Sequence, residues 1–119
     1  MSDYKFEMPW PPTLNHWHQP CRGRIIKGAK AREYESKAVA HLKALKLNDE
    51  ALSSKLRVRL TLYPITNAKY DIDNRTKGVF DSLSAANFWV DDSQVEELII
   101  KKADKVKGGM VLVEIWICD

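Results

Sequence analysis

Asp71 and Asp73 stand one residue apart, Lys77 follows four residues after the second, and another acidic pair, Asp91-Asp92, lies downstream. Like charges held this close repel unless a cation sits between them, and a divalent metal is the usual occupant. Aspartate oxygens are hard donors, and Mg2+ takes a small number of them while keeping water for chemistry. Such a site lowers the pKa of a bound water, orients it against a phosphate and neutralises the leaving oxygen. The pattern therefore points to a metal-dependent nuclease. Lys77, near the metal, would stabilise charge developing on the phosphoryl group or position the attacking water. The bland alternative for Lys77 is a helix-surface ion pair worth about 0.3–0.5 kcal/mol.

Asp81, one further turn along, reads either as a group behind the site or as a solvent-exposed helix aspartate. Asp91-Asp92 alone is a turn signal, because aspartate side chains bond nearby backbone amides. Beside the earlier pair it gains a second reading, in which one carboxylate faces the site and the other caps the turn. Arg22, Arg24, Lys27, Lys30 and Arg32 follow one another with no acid between Pro20 and Arg32. With Trp10, His16, Trp17 and His18 upstream, they combine phosphate contacts with rings able to stack on unpaired bases. The competing reading is a solvated loop and first helical turn. His16, His18 and Cys21 give three candidate zinc ligands but no paired second half.

The chain has 119 residues, 45% of them hydrophobic and 29% charged, as expected for one globular domain over 1–119. The net charge of +3 hides an asymmetry: residues 1–60 carry 12 Lys/Arg against 6 Asp/Glu, and residues 61–119 carry 7 against 10. A basic half beside an acidic half suits a protein that grips phosphates with one surface and holds a cation with the other. No apolar run approaches the roughly 20 residues needed to span a bilayer. The opening Met1-Ser2-Asp3-Tyr4-Lys5 lacks the basic-then-apolar pattern of a secretory signal, so cytoplasmic residence without membrane partners is expected. The only two cysteines, Cys21 and Cys118, are expected to be reduced thiols.

The elements that must position these residues follow from periodicity. Tyr4, Phe6 and Met8 alternate with Lys5 and Glu7 as in a half-buried strand, ended by Pro9-Trp10-Pro11-Pro12. Residues 13–28 read as a long loop of a kind that is often functional. From about Ala29 to Leu47, Tyr34, Ala38, His41, Leu42 and Leu45 fall on one helical stripe, where His41 reads as a packed or edge histidine. Leu56, Val58, Leu60 and Leu62 mark a strand closed by Pro64. Asp73 occupies an N-cap position, and Asn74 to about Ala86 predicts a helix with Thr76, Val79, Phe80 and Leu83 inward and Asn87 as its left-handed terminus. If residues 71–73 are extended, both carboxylates share one side and Ile72 enters the core. Val95 to Lys102 predicts a strand with Leu98 and Ile100 on one face. Lys107-Gly108-Gly109 is a hairpin turn signal, and residues 110–117 predict the last strand. The order β-α-β-α-β-β implies an α+β domain with a four-stranded mixed sheet and two helices covering one face. Its other face is left for solvent or a dimer contact.

Taken together, these motifs resemble the RusA family of Holliday junction resolvases over nearly the whole chain. They are Pro9-Trp10-Pro11-Pro12 with Asn15 after it, Arg22-Gly23-Arg24, Asp71-Ile72-Asp73-Asn74 with Lys77, Phe80-Asp81-Ser82-Leu83, Phe88-Trp89-Val90-Asp91-Asp92-Ser93-Gln94-Val95, and Gly108-Gly109. The resemblance implies a homodimeric, Mg2+-dependent endonuclease, with Mn2+ able to substitute. It would bind four-way junction DNA and nick two strands symmetrically in recombination and repair. It implies Asp71, Asp73 and Asp92 as essential carboxylates and metal ligands, Asp91 as the adjacent further acid, and Lys77 as the catalytic lysine. The DNA-binding set is then Asn15, Arg22, Arg24, Lys27, Lys30, Lys69, Asn74 and Arg75. One departure stands out: where the family resemblance implies a basic cluster before the first aspartate, Asn67-Ala68-Lys69-Tyr70 offers only Lys69, so DNA contact there is either weaker or relies on stacking by Tyr70. The residues alone leave two other readings open. One is a nucleic-acid binding module without catalysis; the other is a metal-dependent nuclease acting on other branched DNA or on RNA.

Overall fold

The computed structural model describes residues 1–118. Strand β1 (Tyr4–Met8) buries Phe6 and Met8, as its alternation requires, and the proline run ends it. The expected loop over 13–28 is corrected. It contains a short 3-10 turn at Leu14–His16 and a hairpin of β2 (His18–Cys21) and β3 (Arg24–Lys27). Arg22 and Gly23 join the two strands with φ of 50° and 78°, the positive pair that a type I′ turn demands. Its four β2 residues are all exposed, so no apolar alternation announced it in the sequence.

Helix α1 (Ala29–Ala44) turns Ala31, Tyr34, Ala38 and Leu42 inward. It stops short of Leu47 because Lys46 adopts φ 60° and the Leu47 amide donates back to the Leu42 carbonyl, a left-handed terminus. His41 is an edge histidine whose Nε2–H donates to the Glu7 carbonyl at 2.7 Å. Strand β4 (Lys55–Tyr63) follows its predicted alternation. Helix α2 (Thr76–Ala85) starts later than Asn74, with Arg75 at its N-cap. Residues 71–74 instead close a turn in which the Asn74 amide donates to the Asp71 carbonyl at 3.1 Å. Asp73 is therefore not the cap, and Ile72 is 43% exposed rather than in the core. Val79 and Leu83 are buried as expected, Thr76 and Phe80 only partly, and Asn87 takes the left-handed φ of 54°.

Strand β5 (Val95–Lys102) pairs parallel to β4, and β6 (Met110–Cys118) lies antiparallel between β1 and β4, giving the order β1-β6-β4-β5. This is the expected α+β fold with a four-stranded mixed sheet and two helices. Lys107-Gly108-Gly109 does not close a hairpin between neighbours, since β4 separates β5 from β6. The connection crosses the end of β4, where the Ala103 amide donates to Leu62 and the Val106 amide to Pro64. Both helices pack on one face, over Phe6, Met8, Leu56, Val58, Leu60, Leu62, Val111, Val113 and Ile115. The other face carries Arg59 in a bidentate pair with Glu114 and stacked, with Arg57, on Trp116. Among the described residues no helix is long and apolar enough to cross a membrane.

One close approach fixes how the proline loop meets α2. A Cβ on Gly78 would lie 2.8 Å from the Pro11 Cβ and 3.2 Å from Trp17 Cζ3, neither of which can swing away. Ala normally gains about 1 kcal/mol over Gly inside a helix, yet overpacking costs about 1–3 kcal/mol. Gly78→Ala is expected to lower stability by up to about 2 kcal/mol in urea unfolding, against its helix propensity. A variant more stable than the parent by the full helix-propensity gain of about 1 kcal/mol would show that the loop is not seated against α2.

Candidate functional site

Parallel pairing of β4 and β5 decides where the acids fall. Leu62 pairs with Lys102 at the C-terminal end, where residues 64–75 leave β4; Leu56 pairs with Val95 at the N-terminal end, just after Asp91-Asp92. The Lys102 ammonium donates to the Tyr70 carbonyl at 2.6 Å, placing Asp71 beside that C-terminal end. Gln94 Nε2 donates to the Leu52 and Ser54 carbonyls, both at 2.8 Å, which locks Asp91-Asp92 to the opposite end. The eight residues of β5 lie between, spanning about 26 Å.

Asp71 and Asp73 are exposed in the turn ahead of α2. Neither side chain has a hydrogen bond or an ion pair among the described residues. Asp71 lines an open cleft of about 550 Å³ together with Thr13, Lys69, Tyr70, Asn74, Arg75 and Lys102. Thr13 Oγ1, Tyr70 Oη and Arg75 Nε in that wall are buried without a hydrogen-bond partner among the described residues. Asn74 Oδ1 accepts from the Leu14 amide at 2.8 Å and ties the proline loop to the turn. The Arg75 guanidinium donates to the Pro11 carbonyl at 2.7 Å and lies over Trp10 at 5.0 Å. Burial lowers its pKa, partly opposed by Tyr70, and burial raises that of the Tyr70 phenol.

Lys102 was missed in the sequence. Its ammonium lies 4.3 Å from the Tyr70 ring centre, so a cation stands next to Asp71 where the chain before it supplies only Lys69. The signal was the end of β5: ligand sites gather at the carboxyl ends of parallel strands, but which strands of the mixed sheet pair in parallel was not foreseen. Asn15, Arg22, Arg24 and Lys30 are exposed on the 3-10 turn, the hairpin and the first turn of α1. Lys27 is held by Glu35 at 2.6 Å.

Asp91 and Asp92 divide their work. Asp91 caps a short 3-10 turn, Asp92–Gln94, accepting from the Ser93 amide while its own amide donates to Gln94 Oε1. Hydrogen bonds from Ser93, chiefly its side chain and then its backbone, hold the Asp91 carboxyl below its usual range. The Asp92 carboxylate has no such engagement.

Two other expectations are corrected. Trp17 does not stand free to stack on bases: it is 0% exposed, and its indole Nε1 donates to Asp81 Oδ2 at 2.8 Å. Asp81 is accordingly not a solvent-exposed helix acid; its other oxygen accepts from Lys77 at 3.3 Å. His16, His18 and Cys21 form no metal-binding group, and both cysteines are free.

The carboxylates of the turn fit Mg2+ in chemistry and in number. Among the described residues no three His, Cys, Asp or Glu side chains are grouped to hold a metal. Asp71 and Asp73 offer hard donors from a single turn, the one or two carboxylates that Mg2+ commonly takes while phosphate and water complete its shell.

The chain matches the model of the family described as Endodeoxyribonuclease RusA over residues 9–117. It is 32% identical over 109 residues to the crossover junction endodeoxyribonuclease RusA of Escherichia coli K12, covering 92% of this chain and 90% of that one. The proteins of the same name from Shigella sonnei and Enterobacteria phage 82 match at the same identity and coverage. A turn carrying two unpaired carboxylates beside a cationic cleft, in a sequence matched almost end to end, places this chain in the RusA family of endodeoxyribonucleases.

Proposed function

We propose that the chain is a structure-specific endodeoxyribonuclease that resolves four-way DNA junctions by paired nicks, acting as a homodimer with Mg2+. The observation that carries this reading is Asp71, unpaired, in the wall of a cleft whose cations are Lys69, Arg75 and Lys102. A surface that only bound phosphate would gain nothing from an unneutralised carboxylate there. The relatives named crossover junction endodeoxyribonucleases supply the substrate class.

Asp71 and Asp73 would hold the cation. When bound, Mg2+ supplies a water of lowered pKa and neutralises the leaving oxygen, and Mn2+ would serve in its place. Lys77 stabilises negative charge on the reacting phosphoryl group. Lys69 and Lys102 contact phosphates at the cleft. Asn15, Arg22, Arg24 and Lys30 extend the DNA surface over the hairpin side, with Lys27 held back by Glu35 and Asn74 and Arg75 positioning the loop as well as lining the cleft.

Asp92 is held near the far end of β5 from Asp71, and among the described residues no three acidic, histidine or cysteine side chains are grouped to hold a metal. If it is a ligand, it comes from a second copy, and a twofold dimer then carries two equivalent composite sites. Asp91, bound up in its turn, is the poorer candidate.

Asp73→Asn is expected to abolish cleavage of a synthetic four-way junction in Mg2+ while leaving junction binding intact, because it removes a metal ligand and a charge that repels DNA. Normal cutting by that variant would end the metal-site reading, and faster cutting of flap, duplex or RNA than of junction would end the substrate reading. Asp92→Asn should be equally inactive. Mixing the two inactive variants under subunit exchange should restore nicking of one strand, since one of the two composite sites is then intact. A mixture as dead as its components would place Asp92 in cis or outside the site. Lys102→Gln should weaken junction binding with the salt slope reduced by about 1, read from log Kd against log salt. An unchanged slope would mean that Lys102 only braces Tyr70.

A further inference from the structure

We propose that Asp81 and Trp17 are positioning residues for Lys77, a device that fixes the direction of the ammonium and keeps it off the carboxylates of the turn. The inference rests on the reading of Lys77 as the catalytic lysine and adds to it the groups through which that lysine is set.

An exposed lysine on a helix samples many rotamers, and an exposed i,i+4 pair does little to restrain it. Here the partner is not free. The Asp81 side chain is only 16% exposed, and its two oxygens serve different sides of the molecule. Oδ2 accepts from the indole of Trp17 at 2.8 Å, inside the core; Oδ1 accepts from the Lys77 ammonium at 3.3 Å, at the surface. A buried indole N–H needs an acceptor, and an ionised one makes the stronger bond. Trp17 is itself held from behind. Its ring stands edge-on to Tyr34, 6.2 Å between centres, and the Tyr34 hydroxyl donates to the Pro9 carbonyl at 2.7 Å. Gly78, next to Lys77, leaves the space in which Trp17 lies against α2. The lysine is thus fixed through Asp81 to α1, the proline loop and the core.

The arrangement also settles a competition. Lys77 is four residues from Asp73 on one side and four from Asp81 on the other. Asp73 lies in the turn before α2 begins, so only Asp81 meets Lys77 with helical i,i+4 geometry, and the ion pair forms there. Asp71 and Asp73 are left unneutralised.

The test is single-turnover cleavage of a four-way junction by the full-length protein in Mg2+. In Asp81→Asn the amide oxygen still accepts from Trp17, but the amide NH2 faces Lys77 and offers it nothing. The cleavage rate is expected to fall about 10- to 100-fold, the scale of a misplaced reacting group, with junction Kd unchanged to within about twofold. The Trp17 indole N–H resonance, assigned by its loss in Trp17→Phe, should persist, showing that the fold around it is intact. On a Lys77→Ala background Asp81→Asn should cause no further loss, because its effect runs through the lysine. Wild-type cleavage by Asp81→Asn while Lys77→Ala is dead overturns the proposal and leaves the function standing. Equal losses that multiply on the Lys77→Ala background also overturn it, since Asp81 would then act on the fold alone. Normal cleavage by Lys77→Ala overturns both the proposal and the role given to the lysine.

Discussion

The parallel pairing of β4 with β5 governs the site more than any single side chain does. A parallel neighbour must be reached by a crossover, and here the crossover is the turn at 71–75, α2 and the segment back to Val95. Asp71, Asp73, Lys77, Asp91 and Asp92 all lie on that crossover. Its first turn leaves the C-terminal end of β4, and its last turn re-enters at the N-terminal end of β5. The two acidic pairs are therefore driven apart by the same pairing that makes the sheet, and Lys102 is delivered to the first of them.

Electrostatics then sorts the cations. Lys77 goes to Asp81, Lys27 to Glu35, and Lys102 to a backbone carbonyl and an aromatic face, so none of the three neutralises Asp71 or Asp73. Holding like charges in one turn costs free energy that an ordinary surface would relieve with the nearest lysine. A cleft that keeps three cations close to an unpaired carboxylate suits a ligand bearing both signs, a metal ion together with a phosphate.

The sequence was legible where burial enforced a period. β1, β4 and β6, and the stripe Tyr34, Ala38 and Leu42, show their inward faces because a slip would expose them. The β2–β3 hairpin lay outside that rule, since its stability comes from a positive-φ turn and backbone pairing rather than a buried face. Trp17 illustrates a different limit. An indole in a loop looks the same in sequence whether it awaits a base or fills the core, and the close packing against Gly78 that buries it shows only in the structure. Asp71, Asp73 and Lys77 were legible by type and spacing, whereas Lys102 required knowledge of which strands pair.

The separation of Asp92 from Asp71 follows from where the crossover starts and where it ends. Two carboxylates in one turn would leave much of the shell of a bound Mg2+ to water and phosphate. A third ligand from a second copy would make metal affinity depend on association. Association would also relate two such sites by a twofold axis. Asp91 supports that division locally: by capping the Asp92–Gln94 turn, it fixes the backbone from which Asp92 projects while keeping its own carboxylate occupied. The adjacent pair thus behaves as one residue that builds the turn and one that the turn presents.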